Sequence, residues 1–402
     1  MSVENPSGDR AMRVTVWRLF FCQALMNLTM IGQATMGALI GRSLSSDIAL
    51  ATLPMAIQMA GSMTASIPAS YVFARWGRRA GFLAGAGVSI LASVAFGLGV
   101  YHQDFWVYCL GAALAGLSWG VAQHYRFAAA EAATPAYRPR AIALVMAGPV
   151  LSALFGPEIV KHTHQAFLPH VFLGTYIVMG LVPLATLVLL SGLKLPPLPA
   201  RAKVATPLGD IIRRPTFVTA VVAGMVAYGT MNLAMTATPL EMQLCGFSIS
   251  DSSTVVQLHA LAMFAPGFFT GRLIQRFGVR PVIVAGALLT AVCVVVLLSG
   301  ETFTHFAVGQ AVLGLGWNFM FVGATSLQAA SYAPQERVKA QAANDFIVFG
   351  TVACTAFLSG YVHARLGWSV LNLTLIPPLV AALALLAWQR ARGTGRVAAA
   401  AR

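Results

Sequence analysis

Twelve apolar stretches, each long enough to cross a lipid bilayer, recur along this chain of 402 residues and limit its fold more than any other feature. The hydrocarbon core of a bilayer is about 30 Å thick, so a spanning helix needs about 20 apolar residues. Charged residues make up only 9% of the chain, against about 25% in soluble domains. Since lipid offers no hydrogen-bond partners to the backbone, such segments satisfy their own backbone groups as helices. The sequence therefore predicts an all-α integral membrane protein with spans at about 15–40, 46–73, 80–101, 106–131, 141–160, 170–191, 216–241, 252–274, 281–299, 305–331, 341–362 and 369–389.

The basic residues indicate how the spans are oriented. Lysine and arginine accumulate in the cytoplasmic loops of membrane proteins, and here they fall almost entirely in alternate connections. Both termini are predicted to be cytoplasmic, which leaves Arg42, Lys161 and Arg365 outside and Arg126 within a span. The net charge of +14 therefore reflects membrane topology, and no nucleic-acid partner is expected. The polar N-terminus before a long first span predicts no cleaved signal peptide, and five scattered cysteines predict no disulfide framework.

A Pro-rich, basic connection at 191–215 separates the first six spans from the last six. Proline breaks helices and stiffens linkers, so this stretch is expected to connect two bundles. The predicted domains are an N-terminal six-helix bundle at 1–191, a cytoplasmic linker at 192–215 and a C-terminal six-helix bundle at 216–402.

The two halves also repeat short motifs. RWGRR at 75–79 corresponds to RFGVR at 276–280, and GLSW at 116–119 corresponds to GLGW at 314–317. Bundles related by internal repeats are typical of secondary transporters, whose site lies near mid-membrane where the repeats meet. We find no phosphate-binding loop, nucleophile elbow or nucleotide fingerprint, so the chain is not expected to be an enzyme or to be driven directly by ATP.

Through these motifs the chain resembles the major facilitator superfamily over nearly its whole length. The family's loop after its second span reads G-x-x-x-[DE]-[RK]-x-G-[RK]-[RK]. Its second glycine and its basic positions fall here on Arg75, Gly77, Arg78 and Arg79, and in the second half on Arg276, Gly278 and Arg280, with Val279 at one basic position. Its first glycine position holds Ser70 in the first copy and Gly271 in the second. The acidic position holds Ala74 in one copy and Gln275 in the other, so the resemblance does not extend to a gate built on a carboxylate there. The resemblance implies two pseudo-symmetric bundles that transport by alternating access.

Spans 7 and 8 carry a methionine and histidine pattern. Met231 and Met235 are four residues apart in one span, and His259 and Met263 are four apart in the next. Residues i and i+4 share a helix face, and antiparallel packing of the two spans would bring the four to two matching depths. Thioether and imidazole ligands suit Cu(I), and a histidine inside a bilayer is costly without a purpose. The pattern predicts a copper site, with methionine as an ordinary core filler as the alternative.

The first half has a related stripe without a histidine. Sulfur-bearing residues recur every fourth position in span 1 and again in span 2, at Cys22, Met26, Met30, Met55, Met59 and Met63. An offset of 201 residues places Gln58 opposite His259. This stripe is interpreted as a second or transfer site for metal, or equally as plain packing. Met242 and Cys245, at the outer end of span 7, are interpreted either as residues that hand metal inward or as an ordinary loop.

The pattern of Met231, Met235, His259 and Met263 resembles the CcoA-like copper importers of bacterial inner membranes. That resemblance implies an inner-membrane carrier that imports copper, as Cu(I), by alternating access and supplies it for the assembly of respiratory oxidases. It further implies copper as the transported substrate, no permanently bound cofactor, contact with the lipid bilayer, and a cytoplasmic copper chaperone or exporter as a partner. The alternative is a carrier of a small organic solute such as a vitamin, metabolite or drug, with methionines lining an apolar cavity.

Charged residues inside or beside the spans are candidates for gating or coupling. An intramembrane arginine marks a functional site by default, so Arg126 is one candidate, with Glu131 as its expected partner. Asp345, near the inner end of span 11, is interpreted as a helix cap or a gate, with a proton relay as the alternative. The basic residues of the two motif loops complete this group.

Overall fold

The computed structural model describes residues 6–134, 137–193, 195 and 206–391, and every regular element among them is helical. The α-helices are α1 (Pro6–Leu44), α2 (Leu53–Thr64), α3 (Ser66–Tyr101), α4 (Phe105–Ala122), α5 (Tyr125–Ala132), α6 (Arg138–Thr163), α7 (Leu173–Ser191), α8 (Leu208–Ile212), α9 (Pro215–Leu244), α10 (Ile249–Phe264), α11 (Gly267–Phe277), α12 (Val279–Leu298), α13 (Phe303–Ala329), α14 (Arg337–Leu373) and α15 (Ile376–Ala391). Short 3₁₀ turns occupy Ile48–Leu50 and Pro334–Glu336. The all-α prediction is confirmed.

The helix boundaries differ from the predicted spans where a span is interrupted or joined to the next. Gly77 bends α3 and Gly367 bends α14, so each of these helices contains parts of two predicted spans. Span 4 is divided between α4 and α5, and Pro266 divides span 8 between α10 and α11. Within the described residues, nine helical stretches are long and apolar enough to cross a membrane individually.

Large apolar side chains on the outside of these helices fit a lipid surrounding. Val188 is 72% exposed, Val295 68% and Trp106 67%. Several such side chains side by side would be unfavourable in water, whereas lipid tails are their natural neighbours.

The chain forms two compact units. Unit 1 comprises Met1–Asp47 and Leu53–Ala200, and unit 2 comprises Ile48–Thr52 and Arg201–Arg402. The division in the chain falls within the predicted linker, of which Lys194 and 196–205 lie outside the described residues.

The motif repeat reappears as a repeated backbone bend. Gly77 has φ +82° and Gly278 has φ +91°, a region that is strained for side chains with a Cβ. The two glycines are 201 residues apart in the two motif loops. Each loop therefore requires glycine for the same conformational reason.

The second repeat, GLSW and GLGW, is a repeated close helix contact. A Cβ on Gly116 of α4 would lie 2.1 Å from the carbonyl oxygen of Gln58 in α2. A Cβ on Gly314 of α13 would lie 2.4 Å from the carbonyl oxygen of His259 in α10. Gln58 and His259 are thus equivalent in packing as well as in sequence offset, since each lies where a glycine lets two helix backbones approach.

Candidate functional site

A cleft opens inside unit 1 among α1, α2, α3, α4 and α7, and it encloses about 460 Å³ of empty space including its open mouth. It is lined by Met26, Thr29, Met30, Gln33, Met36, Gln58, Ser89, Ala92, Ser93, Phe96, Ala115, Trp119, Tyr176 and Met179.

All of these lining residues are uncharged. Four are methionines, three are aromatic, and the strongest polar groups are the two amides of Gln33 and Gln58. In a site surrounded by apolar helices, a charged ligand without a counter-charge loses far more hydration than it regains. The cleft therefore suits a neutral molecule with apolar faces and a few hydrogen-bonding groups.

Gln33 is held in a closed ring of hydrogen bonds. Its Nε2 donates to the hydroxyl of Tyr108 over 2.8 Å, and its Oε1 accepts from the hydroxyl of Tyr176 over 2.6 Å. The two tyrosine oxygens are 2.7 Å apart, so the Tyr108 hydroxyl completes the ring by donating to Tyr176. Phe96 stacks on Tyr176 with ring centroids 5.0 Å apart. Gln33 is thereby fixed as part of the wall.

Gln58 is held much more weakly. Its side-chain Nε2 donates to the thioether sulfur of Met30 over 3.1 Å. Sulfur of this kind is a weak acceptor, although Gln58 is only 3% exposed. The amide of Gln58 thus remains available to a better acceptor.

The four residues predicted to hold copper are all buried. That prediction assumed that α9 and α10 pack along each other, but their mutual contact is small. α10 packs chiefly on α13, whereas α9 packs on both α14 and α13. Nδ1 of His259 lies 2.9 Å from the backbone oxygen of Gln310 in α13, and the Gln310 side chain donates to Thr238 of α9 over 2.6 Å. The hydrogen-bond partner of His259 is therefore the backbone of α13.

His259 nevertheless keeps one unused ring nitrogen. Because a carbonyl oxygen only accepts, Nδ1 carries the hydrogen and Nε2 is the acceptor in the neutral ring. Nε2 is buried and has no hydrogen-bond partner, sulfur included, among the described residues. Met231, Met235 and Met263 are 6–8% exposed; no described hydrogen bond joins their sulfur atoms to the imidazole.

The sulfur stripe of the first half is divided among different surroundings. Met26 and Met30 line the cleft, whereas Cys22 is fully buried in a core cluster with Leu19 and Val16. Met55 and Met59 are buried and Met63 is half-buried. For Met26 and Met30, the alternative in which methionines line an apolar cavity describes the structure.

At the C-terminal end of α9, Cys245 lies among carboxylates. Its thiol is 3.8 Å from Oε2 of Glu301, and ligand atoms of Cys245, Glu301 and Glu241 lie within 4.8 Å of one another. Burial and these two carboxylates raise the pKa of the Cys245 thiol to about 11. Met242 is completely buried. A thiol held protonated beside hard oxygen groups does not resemble a transfer site for Cu(I).

The charged candidates have specific partners. Glu131 pairs with Arg78 of the motif loop over 2.6 Å, which differs from the partner expected, Arg126. Arg126 lies over the ring of Phe127, with the guanidinium carbon 4.9 Å from the centroid, and it does not line the cleft. Arg79 donates to the backbone oxygen of Ser191 at the end of α7. The first motif loop is thus tied to α5 and α7.

Among the remaining candidates, Asp345 lies in the third turn of α14, and Asn344 donates to it over 3.1 Å. The cap interpretation is therefore wrong, because a cap precedes the first turn. Arg75 and Arg276 contact the rings that follow them in sequence, at 5.6 and 5.2 Å. Arg280 is half-buried at the start of α12. A gating role for these residues stays a prediction.

Sequence reasoning missed most of the cleft. Phe96, Tyr176 and Met179 were not singled out, and Trp119 was noted only as part of a repeat. Buried glutamines in spans 1 and 2 were the available signal, because polar side chains inside the membrane are costly and mark function.

Comparison with known proteins supports the fold and a transport role. A sequence model of the Major Facilitator Superfamily matches residues 19–265 and 221–402. The riboflavin transporter RfnT of Brucella anthropi is 40% identical over 351 residues, covering 86% of this chain and 88% of that protein. The uncharacterized MFS-type transporter YddS of Bacillus subtilis is 25% identical over 393 residues, covering 92% of this chain and 90% of the relative.

Solved structures share the fold at low sequence identity. The fucose:proton symporter FucP of E. coli superposes with a TM-score of 0.62 at 16% identity, over 95% of this chain and 98% of that one. The human organic anion transporter MFSD10 gives 0.68 at 14% identity, over 93% and 99%.

These comparisons correct the predicted substrate. A relative similar over most of both chains is named for riboflavin, an organic molecule, and this contradicts the prediction of copper import. The expected likeness to CcoA-like importers is likewise not supported. The methionine pattern misled because spacing within two helices does not establish what lies between them.

Proposed function

The chain belongs to the major facilitator superfamily, a family of membrane transporters and not of enzymes, and from that premise we infer that it is a secondary carrier of a small, uncharged, aromatic solute of the flavin type. Riboflavin is the first candidate. The name of the Brucella anthropi relative suggests this solute, and the cleft of unit 1 supplies the independent physical support.

The observation that carries the proposal is the neutral, mixed lining of the cleft. A flavin has a flat tricyclic ring with two apolar faces, and its pyrimidine edge carries carbonyl oxygens and an imide N–H. Thioethers make favourable contacts with aromatic rings, and Met26, Met30 and Met179 provide them here. The aromatic side chains Trp119 and Phe96 suit offset or edge-on ring contacts. The amide of Gln58, whose described hydrogen bond goes to a thioether, is the group available to a polar edge.

The absence of charge among the lining residues sets a specificity. Riboflavin is neutral near pH 7, whereas its phosphate ester, flavin mononucleotide, carries a dianionic phosphate. No lysine, arginine or histidine is among the residues that line the cleft, so the phosphate would be desolvated without a partner. The carrier is therefore expected to prefer riboflavin to flavin mononucleotide.

The membrane location follows from the same sequence. The chain is a multi-pass membrane protein, and we place it in the bacterial inner membrane with both termini in the cytoplasm, because its basic residues accumulate on that side. Alternating access between two bundles would move the solute.

The test is solute exchange in proteoliposomes, which works without knowledge of the driving ion. Vesicles that contain the purified protein are loaded with unlabelled riboflavin, and the entry of radiolabelled riboflavin is measured against protein-free vesicles. We expect labelled riboflavin to enter faster than the background, and excess unlabelled riboflavin to compete at least tenfold better than flavin mononucleotide.

Copper serves as the contrasting substrate in the same vesicles. Entry of radiolabelled Cu(I) above the protein-free background, together with no exchange of riboflavin, would overturn the proposal. A His259→Ala variant should exchange riboflavin at the same rate without copper, with added copper and with a copper chelator.

A further inference from the structure

We propose that Gln58 reads the imide edge of the transported flavin, accepting a hydrogen bond from the ring N3–H and donating one to an adjacent ring carbonyl. This inference rests on the proposed function and names the residue that gives the cleft its specificity. Until the solute arrives, the sulfur of Met30 occupies the donor of Gln58.

The two glutamines of the cleft differ in how firmly their amides are held. Gln33 has both ends of its amide in a closed ring with Tyr108 and Tyr176 at 2.6–2.8 Å. Engaging a solute would break that ring and leave buried hydroxyl groups unpaired, which is costly. Gln33 is therefore a structural part of the wall and not the recognising group.

Gln58 would lose no comparable hydrogen bonds on binding a solute. Its described hydrogen bond goes to a thioether, a weak acceptor, and exchanging sulfur for a carbonyl oxygen strengthens the interaction. The amide oxygen has no hydrogen-bond partner among the described residues and is not among the completely enclosed polar atoms. The amide nitrogen thus forms a stronger hydrogen bond when it exchanges sulfur for a carbonyl oxygen, and the amide oxygen is able to accept a hydrogen bond from the solute.

The position of Gln58 is fixed although its amide is not. Gly116 brings the backbones of α2 and α4 so close that a Cβ would lie 2.1 Å from the Gln58 carbonyl. The α-carbon is therefore held by helix packing, and only side-chain rotation is needed to turn the amide from Met30 to a solute. Recognition groups on rigid elements lose little entropy on binding.

The chemistry of the two partners is complementary. A side-chain amide presents one acceptor and one donor side by side, and an imide presents N–H and C=O with the same spacing. Glutamine and asparagine read nucleobase edges through such paired hydrogen bonds. The imide edge is the part of a flavin that a methionine or aromatic wall cannot recognise, so the amide supplies what the other lining residues lack.

The experiment compares riboflavin with 3-methylriboflavin, in which a methyl group replaces the imide hydrogen. Half-saturation concentrations for both are measured by exchange in proteoliposomes. In the unaltered protein we expect the methyl compound to be weaker by about tenfold, the effect of roughly one lost hydrogen bond together with an unpaired amide. In Gln58→Leu the two compounds should differ by less than about twofold, because the group that distinguishes them is gone.

Matched variants separate recognition from structure. Gln33→Leu makes the same chemical change in the same cleft and should weaken both compounds equally, keeping the tenfold ratio. Met30→Leu removes the sulfur and should also keep it. If Gln58→Leu does not purify as a single species, Gln58→Met, which preserves the unbranched side chain, replaces it.

The possible outcomes distinguish the role of Gln58 from the proposed transport of riboflavin. If riboflavin exchanges but the Gln58 variant keeps the tenfold ratio, the role of Gln58 is refuted while the proposed function stands. The role of Gln58 is also refuted if Gln33→Leu is the variant that abolishes the ratio. If riboflavin does not exchange at all, both proposals fail.

Discussion

Replacing Gly116 by alanine tests whether a single helix contact builds the cleft. The added Cβ would lie 2.1 Å from the carbonyl oxygen of Gln58, 2.9 Å from its carbonyl carbon and 3.0 Å from the backbone nitrogen of Ser62. Carbon and carbonyl oxygen ordinarily approach to about 3.3 Å, so the new carbon is about 1.2 Å too close. All three neighbours are backbone atoms, which cannot rotate away as a side chain would.

The expected magnitude follows from two opposing effects. Overpacking of this kind costs about 1–3 kcal/mol and occasionally more, and backbone contacts place it at the upper end. Alanine in a helix interior recovers up to about 1 kcal/mol relative to glycine. The net expectation is a loss of about 2 kcal/mol in unit 1, which lowers its unfolding temperature by about 4–8 °C for a unit of roughly 200 residues.

The assay is the fraction of purified protein that survives heating in detergent as a monodisperse species, measured by size-exclusion chromatography. Gly87→Ala is the control, because apart from the adjoining residues and backbone of its own helix no atom lies within 4 Å of its added Cβ; it should unfold at the original temperature or slightly above. Gly314→Ala repeats the test in unit 2, where the distance is 2.4 Å. If Gly116→Ala and Gly87→Ala unfold at the same temperature, α2 and α4 are not in close contact at Gly116, and the backbone of Gln58 is not fixed by that contact.

Three further predictions concern ionisable groups. The hydrogen bond from Arg214, at 2.6 Å, is the main reason that the pKa of Glu336 is lowered to about 2. The stabilisation from this ionised carboxylate is complete above the unfolded pKa of about 4.3 and is lost as the pH falls towards 2. The difference in unfolding temperature between the unaltered protein and Glu336→Gln should therefore shrink across that window, and a constant difference would contradict this. Nε2 of His363 and Oε2 of Glu241 are buried and lie 2.6 Å apart, so His363→Leu should cost about 1–3 kcal/mol in stability by leaving the Glu241 carboxyl group without this hydrogen-bond partner. The double replacement with Glu241→Gln should recover part of that loss; no recovery would argue against direct coupling. Since the pKa of Cys245 is raised to about 11, maleimide labelling of a variant that retains only this cysteine should be slow at about pH 7.5 and accelerate up to about pH 11, whereas a plateau near pH 9 would refute the shift.

The repeats are the part of the fold that sequence reasoning captured best. Gly77 and Gly278 were aligned as motif letters, and the structure gives them the same positive φ. Gly116 and Gly314 were aligned in the same way, and both permit close helix contacts. Such positions are predictable because steric exclusion of a Cβ is a local requirement that acts directly on the residue type.

The candidate site was predicted far less well, for a reason visible at His259. Spacing of i and i+4 correctly places Met231 with Met235, and His259 with Met263, on shared faces of their helices. It does not show which helix each face meets. In the structure α13 lies against both helices, and Gln310 takes the hydrogen bond of the imidazole.

The cleft was missed for a related reason. Its lining comes from five helices spread over residues 26–179, and no single helix contributes more than five of the fourteen residues. Gln33 and Gln58 are both buried glutamines in apolar spans, and nothing in their neighbouring letters distinguishes the one tied to Tyr108 and Tyr176 from the one resting on Met30.

What this sequence determined by itself is the helical, membrane-spanning, twice-repeated architecture, because hydrophobic length, basic loops and obligatory glycines act through the local chain and its solvent. Only the tertiary structure decided which polar groups are already satisfied and which remain available to a solute. That distinction depends on distances between helices far apart in sequence, where a difference of an ångström separates a closed hydrogen-bond ring from an open binding group.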